Sequence, residues 1–579
     1  MSSQSTTVTE AVPASVTAAR IFQSKYAWLS PSEEESNLLS QALKLKLKQG
    51  NGEAFIFVGK GEEEDDGICD EDLEKSINNL RQIAQTINTD IHILRIKGKS
   101  KSKQADILLR SLLDSRDFME VRVAVIGNVD SGKSTLLGVL THGVLDDGRG
   151  TARLKLFRHK HERESGRTSS IGNEILGFDL LGNVVNKPDS RGVIQSWESI
   201  CLNSTKIVTF IDLAGHEKYL KTTVFGLTGY APDYCMLIIG ANMGLVGMTK
   251  EHLGLSLALG VPVFVIITKI DMCPPNVLSD TVRILTRLLK APGCRKMPLF
   301  VNNDDDVFNA AVSFTNERIC PIFQVSNVQG DNLDLLLKFL NLLNVRKIGD
   351  EHKPVEYQVD DLYNVPGVGT VVSGTMLNGR ISVNDNLFIG PDRIGEFKSV
   401  QVKSIHRKRM EVSYCSSGHT ASLLLRKVKR NELRKGMVIL CSKSELIAHR
   451  EFVADVLILH HPTTISIKYQ AMVHVGPIRQ TATIIKMTAE HLRTGDRAKV
   501  RFRFISNPEY LRVNQRLVFR EGRTKAVGTI TEIYEEKVHK IDQTRTANLP
   551  RKHRRYIARC DAGSSTTKGK SPISTPKLK

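Results

Sequence analysis

A chain of 579 residues with 41% hydrophobic and 25% charged residues has enough apolar material for several soluble cores at about 100–200 residues each. No apolar run approaches the roughly 18 residues a membrane-spanning helix needs, and the formal net charge of +19 favours a polyanionic partner, nucleic acid ahead of a membrane surface. The nine cysteines stand singly without a C-x-x-C and read as reduced thiols; with a Ser/Thr/Ala-rich start that lacks a signal-peptide hydrophobic region, a cytoplasmic location and a monomer are expected.

Residues 1–25 hold few large apolar side chains and read as disordered. A small α/β module is expected over 26–98. Ser30, Pro31, Ser32 and Glu33 open a helix through Leu38, Leu39, Ala42 and Leu43. Ala54 to Val58 reads as a strand, and the acidic loop Glu62 to Asp66 leads to a helix with Leu73, Ile77, Leu80, Ala84 and Ile87 on one face. Ile91 to Ile96 closes the unit as a second strand. The module carries no catalytic constellation and reads as a docking or regulatory appendage. Residues 99–118, beginning in the basic stretch Lys97 to Lys103, are expected to be a linker and a helix.

An α/β nucleotide domain is expected over 119–347. Val121 to Ile126 forms a buried strand, and Thr135, Leu136, Leu137 and Leu140 begin a helix. Between them Gly127, Asn128, Val129, Asp130, Ser131, Gly132, Lys133 and Ser134 match G-x-x-x-x-G-K-[ST], the phosphate-binding loop. Its glycines let successive N–H groups turn toward one anion, and the helix N-terminus adds its dipole. Lys133 is expected to reach the β- and γ-phosphates and Ser134 to hold Mg²⁺. A second strand, Ile207 to Ile211, ends in D-x-x-G at Asp212 and Gly215. The carboxylate then sits beside the Mg²⁺ shell, acting through water, and a glycine amide beside the γ-phosphate. His216 follows where hydrolysis needs a group that positions water.

A third strand, Val261 to Ile267, runs into Thr268, Lys269, Ile270 and Asp271. Asp271 is suited to accept from the N1–H and N2–H₂ of guanine, which adenine cannot supply, and Lys269 to lie along the base. A fourth, Ile322 to Val325, leads to Ser326, Asn327 and Val328, placed for backbone recognition of the guanine oxygen. Four motifs at successive strand ends imply a GTPase with a doubly wound, mostly parallel sheet. Beyond residue 350, short β-rich runs are punctuated by Gly, Asn-Gly and Gly-Pro. Two antiparallel β-barrels are expected, over 348–446 and 447–540. A basic tail over 541–579 is expected to be disordered and attractive to RNA.

The phosphate loop, Asp212 to Glu217 and Thr268 to Asp271 resemble the translational GTPases of the elongation factor Tu and elongation factor 1-alpha superfamily. Gly166 to Gly172 and Phe210 to Phe225 are closer to the GTP-binding protein 1 family. Val355 to Pro391 resembles those factors' first β-barrel and Leu517 to Ile530 a strand-turn-strand of their second. The resemblance implies that switch I lies between Thr135 and Asp212, with Ser170 standing where a threonine closes on Mg²⁺; Thr168 or Ser169 could do that work instead. Val129 matches one wing of the apolar gate around the catalytic histidine, whereas Ser169 replaces the other. Thr268 replaces an asparagine, which weakens a structural link. Asp360, Asp361 and Tyr363 match positions near the pocket for the aminoacylated end of tRNA, and Arg434 replaces an acid there. The segment Leu180 to Thr205 is expected to be a surface hairpin.

These readings imply a GTP- and Mg²⁺-dependent enzyme in which Lys133 and His216 serve catalysis, carrying tRNA or a tRNA-shaped ligand to the ribosome. No arginine is assigned in cis to the transition state, so intrinsic hydrolysis is expected to be slow. The rival expectations are an RNA-surveillance adaptor coupled to decay factors, and an activator of a metabolic enzyme, against which the charge of +19 argues.

Overall fold

The computed structural model describes residues 24–535, apart from 62–66, 100–101, 114–116, 189–194, 315–316, 347–348 and 443–445. The readings made on the extreme N-terminus, the acidic loop and the tail beyond 535 lie outside the described residues. None of the described helices is long and apolar enough to cross a membrane, and the described cysteines are free thiols.

The N-terminal module runs α1 (Glu33–Gln49), β1 (Glu53–Val58), α2 (Asp70–Thr86), β2 (Thr89–Lys99) and β3 (Ser102–Ser111). Ser32 caps α1: its hydroxyl accepts from the Glu35 amide while the Glu35 carboxylate accepts from the Ser32 amide, a reciprocal box that fixes the first turn. The sheet order is β1-β3-β2, all antiparallel. The linker and helix expected over 99–118 are therefore corrected. Lys97 to Lys99 end β2, Ser102 and Lys103 begin the antiparallel β3, and β3 is the central strand. Its run Ala105 to Leu109 is buried. One side packs into the module's own core, while Leu108 joins the core of the next domain. A strand covered on both faces shows no alternation, which is why its period gave no signal.

The module is fixed to the nucleotide domain by a buried ion cluster. The Glu53 carboxylate accepts from Arg110 Nε at 2.9 Å and Lys206 Nζ at 2.6 Å. Arg110 Nη2 donates to Asn341 Oδ1 at 2.9 Å, and Lys206 Nζ to the Asn341 carbonyl at 2.7 Å. Satisfied on every side, these charges avoid the penalty of an unpaired buried ion.

The nucleotide domain continues through β4 (Met119–Gly127), α3 (Lys133–His142), α4 (Thr151–Leu154), α5 (Lys160–Ser165), β5 (Gly172–Phe178), α6 (Trp197–Leu202) and β6 (Lys206–Asp212). It is completed by α7 (Leu220–Gly229), β7 (Tyr234–Gly240), α8 (Gly247–Ala258), β8 (Val263–Thr268), α9 (Pro275–Lys290), β9 (Met297–Phe300), α10 (Asp304–Ser313), β10 (Ile319–Gln324) and α11 (Leu333–Leu342). The sheet order is β5-β6-β4-β7-β8-β10-β9, parallel except for β5 against β6. Cores lie on both faces, so the parallel strands carry continuous apolar runs such as Val263 to Ile267. The chain leaves β4 between β6 and β7, the kind of position where doubly wound sheets bind ligands.

The expected surface hairpin at 180–205 is also corrected. After a turn at Asp179 to Asn183, α6 is capped by the Ser196 side chain. Its Ile200 and Cys201 pack with Phe118, Ile175, Ile207 and Met410. Met410 belongs to the barrel that follows, so this segment joins two domains. Arg409 lies over the Trp197 ring at 4.6 Å, and Arg407 over Phe118 at 4.3 Å.

The first barrel comprises β11 (Glu356–Val365), β12 (Gly369–Asn378), β13 (Arg380–Ser382), β14 (Asn386–Gly390), β15 (Lys398–Arg407), β16 (Met410–Val412), β17 (Tyr414–Ser416), β18 (Thr420–Arg426) and β19 (Val438–Leu440). The order β14-β19-β11-β12-β18-β15 closes because β14 also pairs with β15; β16 extends β15, and β13 pairs with β17. The second is a closed barrel of β20 (His449–His460), β21 (Gln470–Val475), β22 (Ile478–Met487), β23 (Arg497–Phe504), β24 (Arg516–Glu521) and β25 (Thr524–Glu535). Closure removes the edges that would otherwise invite pairing with another chain.

Candidate functional site

At the C-terminal ends of β4 and β6 lies an open cleft lined by Val129, Asp130, Gly132 to Thr135, Arg153, Gly166 to Thr168, Gly215 and His216. Gly132 has φ +83°, a left-handed conformation that glycine adopts without strain, and α3 starts at the next residue. Lys133 is buried and its Nζ donates to the Asn128 carbonyl at 2.6 Å. Burial pulls its pKa down to about 8, so a phosphate near this desolvated cation would be favoured. The Ser131 hydroxyl donates to the Asn128 carbonyl at 2.9 Å and stiffens the loop.

Ser134 and Asp212 meet at the cleft floor, where Ser134 Oγ donates to Asp212 Oδ2 at 2.8 Å. Thr168 Oγ1 lies 2.8 Å from Ser134 Oγ and donates to the same carboxylate oxygen at 3.3 Å. Burial raises the pKa of Asp212, with Lys133 opposing it, and the other oxygen, Oδ1, is buried without a hydrogen-bond partner. Two hydroxyls and a carboxylate with an unused lone-pair set suit a hard, oxygen-preferring cation such as Mg²⁺.

Ser170 does not join them. The Glu162 carboxylate accepts from the amides of Ser169 and Ser170 at 2.8 and 3.0 Å and from their hydroxyls at 2.7 and 3.1 Å. Burial acts against that charge, but these donors outweigh it and hold the carboxyl at about 2. Glu162 thus folds the segment so that Thr168 turns to Asp212, correcting the reading that put Ser170 first. It also takes Ser169 away from the position of a gate wing. Glu162 was not identifiable from a motif; its only local signal is its place three residues after His159 in a helix-capping box.

Gly215 lies tight against the phosphate loop. A Cβ there would sit 2.4 Å from Lys133 Nζ and 2.6 Å from the Gly127 carbonyl. His216 is half-buried, its Nδ1 accepting from the Lys218 amide at 3.1 Å and its ring edge-on to Tyr219. In the neutral ring this acceptor role leaves the proton on Nε2, which makes that atom a donor.

At the far end, Thr268 Oγ1 donates to the Ser131 carbonyl at 2.7 Å. The expected weakening of this link is not seen, since the shorter hydroxyl spans it. Lys269 adopts φ +63°. Asp271 is exposed, and its Oδ1 accepts from the Ser326 hydroxyl at 2.8 Å; Ser326 Oγ in turn accepts from the amides of Val328 and Gln329 at 3.3 and 3.0 Å. Asn327 is buried with Oδ1 unpartnered.

In the first barrel, β11 is bulged between Val359 and Asp361, so the extra residue, Asp360, drops into the interior. Burial and the neighbouring Asp361 raise its pKa to about 7. Asp361 pairs with Lys435 at 2.9 Å, while Tyr363 remains exposed. Arg434 is not a free selector in this pocket. Its Nη1 donates to both Glu509 carboxylate oxygens, at 2.6 and 2.7 Å, and its Nη2 to the carbonyls of Pro391 and Pro508, so it ties the two barrels together. Arg153 and Arg167 lie on the wall of the nucleotide cleft; Arg167 stands within the stretch Gly166 to Gly172, whereas Arg153 belongs to none of the sequence motifs.

The arrangement of loop, cleft and barrels has known counterparts. The family model described as the elongation factor Tu GTP binding domain matches residues 120–345, and that for elongation factor Tu domain 2 matches 369–440. The chain is 59% identical over 528 residues to GTP-binding protein 1 of Xenopus laevis, covering 91% of this chain and 79% of that protein. It is 45% identical over 525 residues to GTP-binding protein 2 of Homo sapiens, covering 88% and 86%. The solved structure of translation elongation factor SelB from Methanococcus maripaludis with the GTP analogue GppNHp aligns with a TM-score of 0.50 at 19% identity, covering 73% of this chain and 81% of that one; at that identity the likeness concerns the fold. The chain therefore belongs to the GTP-binding protein 1 and 2 family of elongation-factor-Tu-type translational GTPases, and its activity is the hydrolysis of GTP.

Proposed function

We propose that this GTPase, in its GTP state, carries tRNA, aminoacylated or in a tRNA-shaped form, to the ribosome in the cytoplasm and releases it on hydrolysis. The observation that carries the reading is the position of switch I. Its Thr168 shares the Asp212 carboxylate with Ser134 at the nucleotide. Arg158 of the same segment lies near enough to Tyr230 and Tyr363, at the barrel pocket, for its charge to act on both phenols. In this reading a change at the phosphate end is passed along the segment to the ligand end, as in switch segments ordered by a γ-phosphate.

In this reading, Lys133 and the loop amides take the charge of the β- and γ-phosphates. Ser134, Thr168 and Asp212 would hold the Mg²⁺ that accompanies GTP and neutralises phosphate charge. Lys269 and Asp271 recognise the base along with the backbone of Ser326 to Val328. His216 donates from Nε2 to the attacking water and orients it. Hydrolysis frees Thr168, and the segment bearing Arg158 releases the barrel pocket.

RNA crosslinked to the purified GTP-bound protein and then sequenced tests the proposal. Recovery of tRNA, enriched at acceptor ends and lost with GDP, is expected. Recovery of messenger RNA without tRNA would overturn it in favour of a surveillance adaptor, and RNA-free ribosome-independent association with an enzyme would favour the metabolic role.

A further inference from the structure

The nucleotide cleft holds a cation that the phosphate-binding motifs do not account for. Arg153 lines it beside Lys133, Ser134 and His216. The guanidinium is partly buried, its Nε has no hydrogen-bond partner, and no carboxylate among the described residues is within ion-pair distance of it. A guanidinium N–H that is shielded from water and has no acceptor is costly unless an acceptor such as an anion arrives. Arg167 lines the same cleft but is exposed, so it bears no comparable cost.

The mount of Arg153 is rigid. The buried Asp146 carboxylate accepts from the amides of Gly148, Gly150 and Ala152 at 3.1, 3.1 and 3.0 Å, which locks the start of α4. The backbone of Ala152 presses on α3 so closely that a Cβ at Gly138 would lie 2.3 Å from the Ala152 carbonyl oxygen. Since α3 begins with Lys133 and Ser134, Arg153 is held in the frame of the phosphate loop. Two glycines confine the guanidinium itself: a Cβ on Gly150 would lie 2.5 Å from Nε, and one on Gly166 3.1 Å from Nη2.

We propose that Arg153 is a cis-acting catalytic arginine, whose guanidinium meets the γ-phosphate as it is transferred. In that step a water oxygen forms a bond to the γ-phosphorus while the bond from phosphorus to the β–γ bridging oxygen breaks. The electron pair stays on the terminal oxygen of GDP, and the water's proton ends on the released phosphate. Charge shifts toward the bridging oxygen and spreads over the equatorial oxygens, and a fixed guanidinium at that point lowers the barrier without reorganising. The inference rests on GTP hydrolysis alone and not on the tRNA-carrying role.

The test uses the full chain without ribosomes, so that failure of the ribosomal reading leaves it untouched. Single-turnover GTP hydrolysis, and the affinities for GTP and GDP, are measured for the wild type, Arg153→Ala, Arg153→Lys and Arg167→Ala. Arg153→Ala is expected to slow hydrolysis by at least about tenfold, modest beside the roughly 10³–10⁵ of a fully engaged arginine finger, with both affinities within about threefold. Arg153→Lys should recover little, because an ammonium cannot reproduce the planar fork, and Arg167→Ala should change the rate less than Arg153→Ala does. A readout independent of turnover is the capture of fluorescent GDP with aluminium fluoride, a mimic of the transferring phosphoryl group, which Arg153→Ala should weaken while leaving GDP binding intact. Hydrolysis by Arg153→Ala within twofold of wild type, unaltered aluminium fluoride capture, or a joint loss of GTP and GDP affinity would overturn the proposal.

Discussion

Two hydroxyl-bearing residues two positions apart, Thr168 and Ser170, have opposite surroundings. Thr168 reaches Asp212, whereas Ser170 is held by Glu162. If Thr168 closes on the nucleotide's cation, Thr168→Ala should weaken GTP binding by roughly tenfold, the scale of one lost hydrogen bond involving a charged group, and leave GDP binding nearly unchanged. Ser170→Ala should do less, because the Ser170 amide still reaches Glu162. Nucleotide titrations of both variants decide the order, and a larger GTP defect in Ser170→Ala would reverse the assignment. His216 makes a different demand. A group that orients water acts in the transition state and adds little to ground-state binding. His216→Ala should therefore keep GTP affinity within a few-fold while ribosome-stimulated hydrolysis falls by about 10²–10³, the usual cost of removing one preorganised donor. Stimulated turnover at the wild-type rate would remove His216 from the mechanism.

At the scale of elements, the bulge in β11 sets a titration. Asp360 is pressed into the barrel interior, where burial and Asp361 raise its pKa from 3.8 to about 7. The folded barrel then keeps a proton that the unfolded chain has already released. This contribution to stability is complete below the unfolded value and is lost as pH rises through about 7. Asp360→Asn, a neutral replacement of similar shape, should flatten the fall in melting temperature between about pH 4 and 7 and raise the melting point at pH 8. Parallel melting curves for variant and wild type across that range would contradict the buried proton. Other elements show what could be read from sequence and what could not. The phosphate loop, the strand ending at Asp212 and the strand ending at Thr268 were legible because each packs its chemistry into contiguous residues beside an apolar strand. β3 was not, because a strand sandwiched between two cores has an apolar run without alternation. The contact of α6 with the barrel was not either, since Ile200 and Cys201 gain their meaning from Met410, far along the chain. Likewise Glu162 and Arg153 depend on partners that only the folded chain assembles, and Thr268 kept its link through a contact that residue identity alone does not reveal.

Across the whole molecule, positive charge and shaped pockets make separable demands. The chain carries a formal charge of +19, and the stretch from 545 contributes Arg545, Arg551, Lys552, Arg554, Arg555, Arg559, Lys568, Lys570, Lys577 and Lys579 against Asp561. The barrel pocket is different in kind: Asp360 lies buried beneath it, Asp361 is paired with Lys435, and Tyr363 is open. A ring and a shaped wall suit stacking and fit. Residues that meet RNA only as phosphate act through counterion release, which depends on salt and hardly on sequence. Deleting 545–579 should therefore weaken binding to RNA or ribosomes at low salt and flatten its salt dependence. The slope of log K against log salt should fall by about 0.7–0.9 for each phosphate contact removed. GTP binding and the ranking of RNAs should not change. Tyr363→Ala should do the reverse, leaving the slope alone and narrowing the preference for charged over uncharged tRNA. A salt series for both variants and the full chain, with charged tRNA, uncharged tRNA and an unstructured RNA, separates these effects. If truncation inverted the ranking of the three RNAs, selectivity would reside in the basic stretch and not in the barrel.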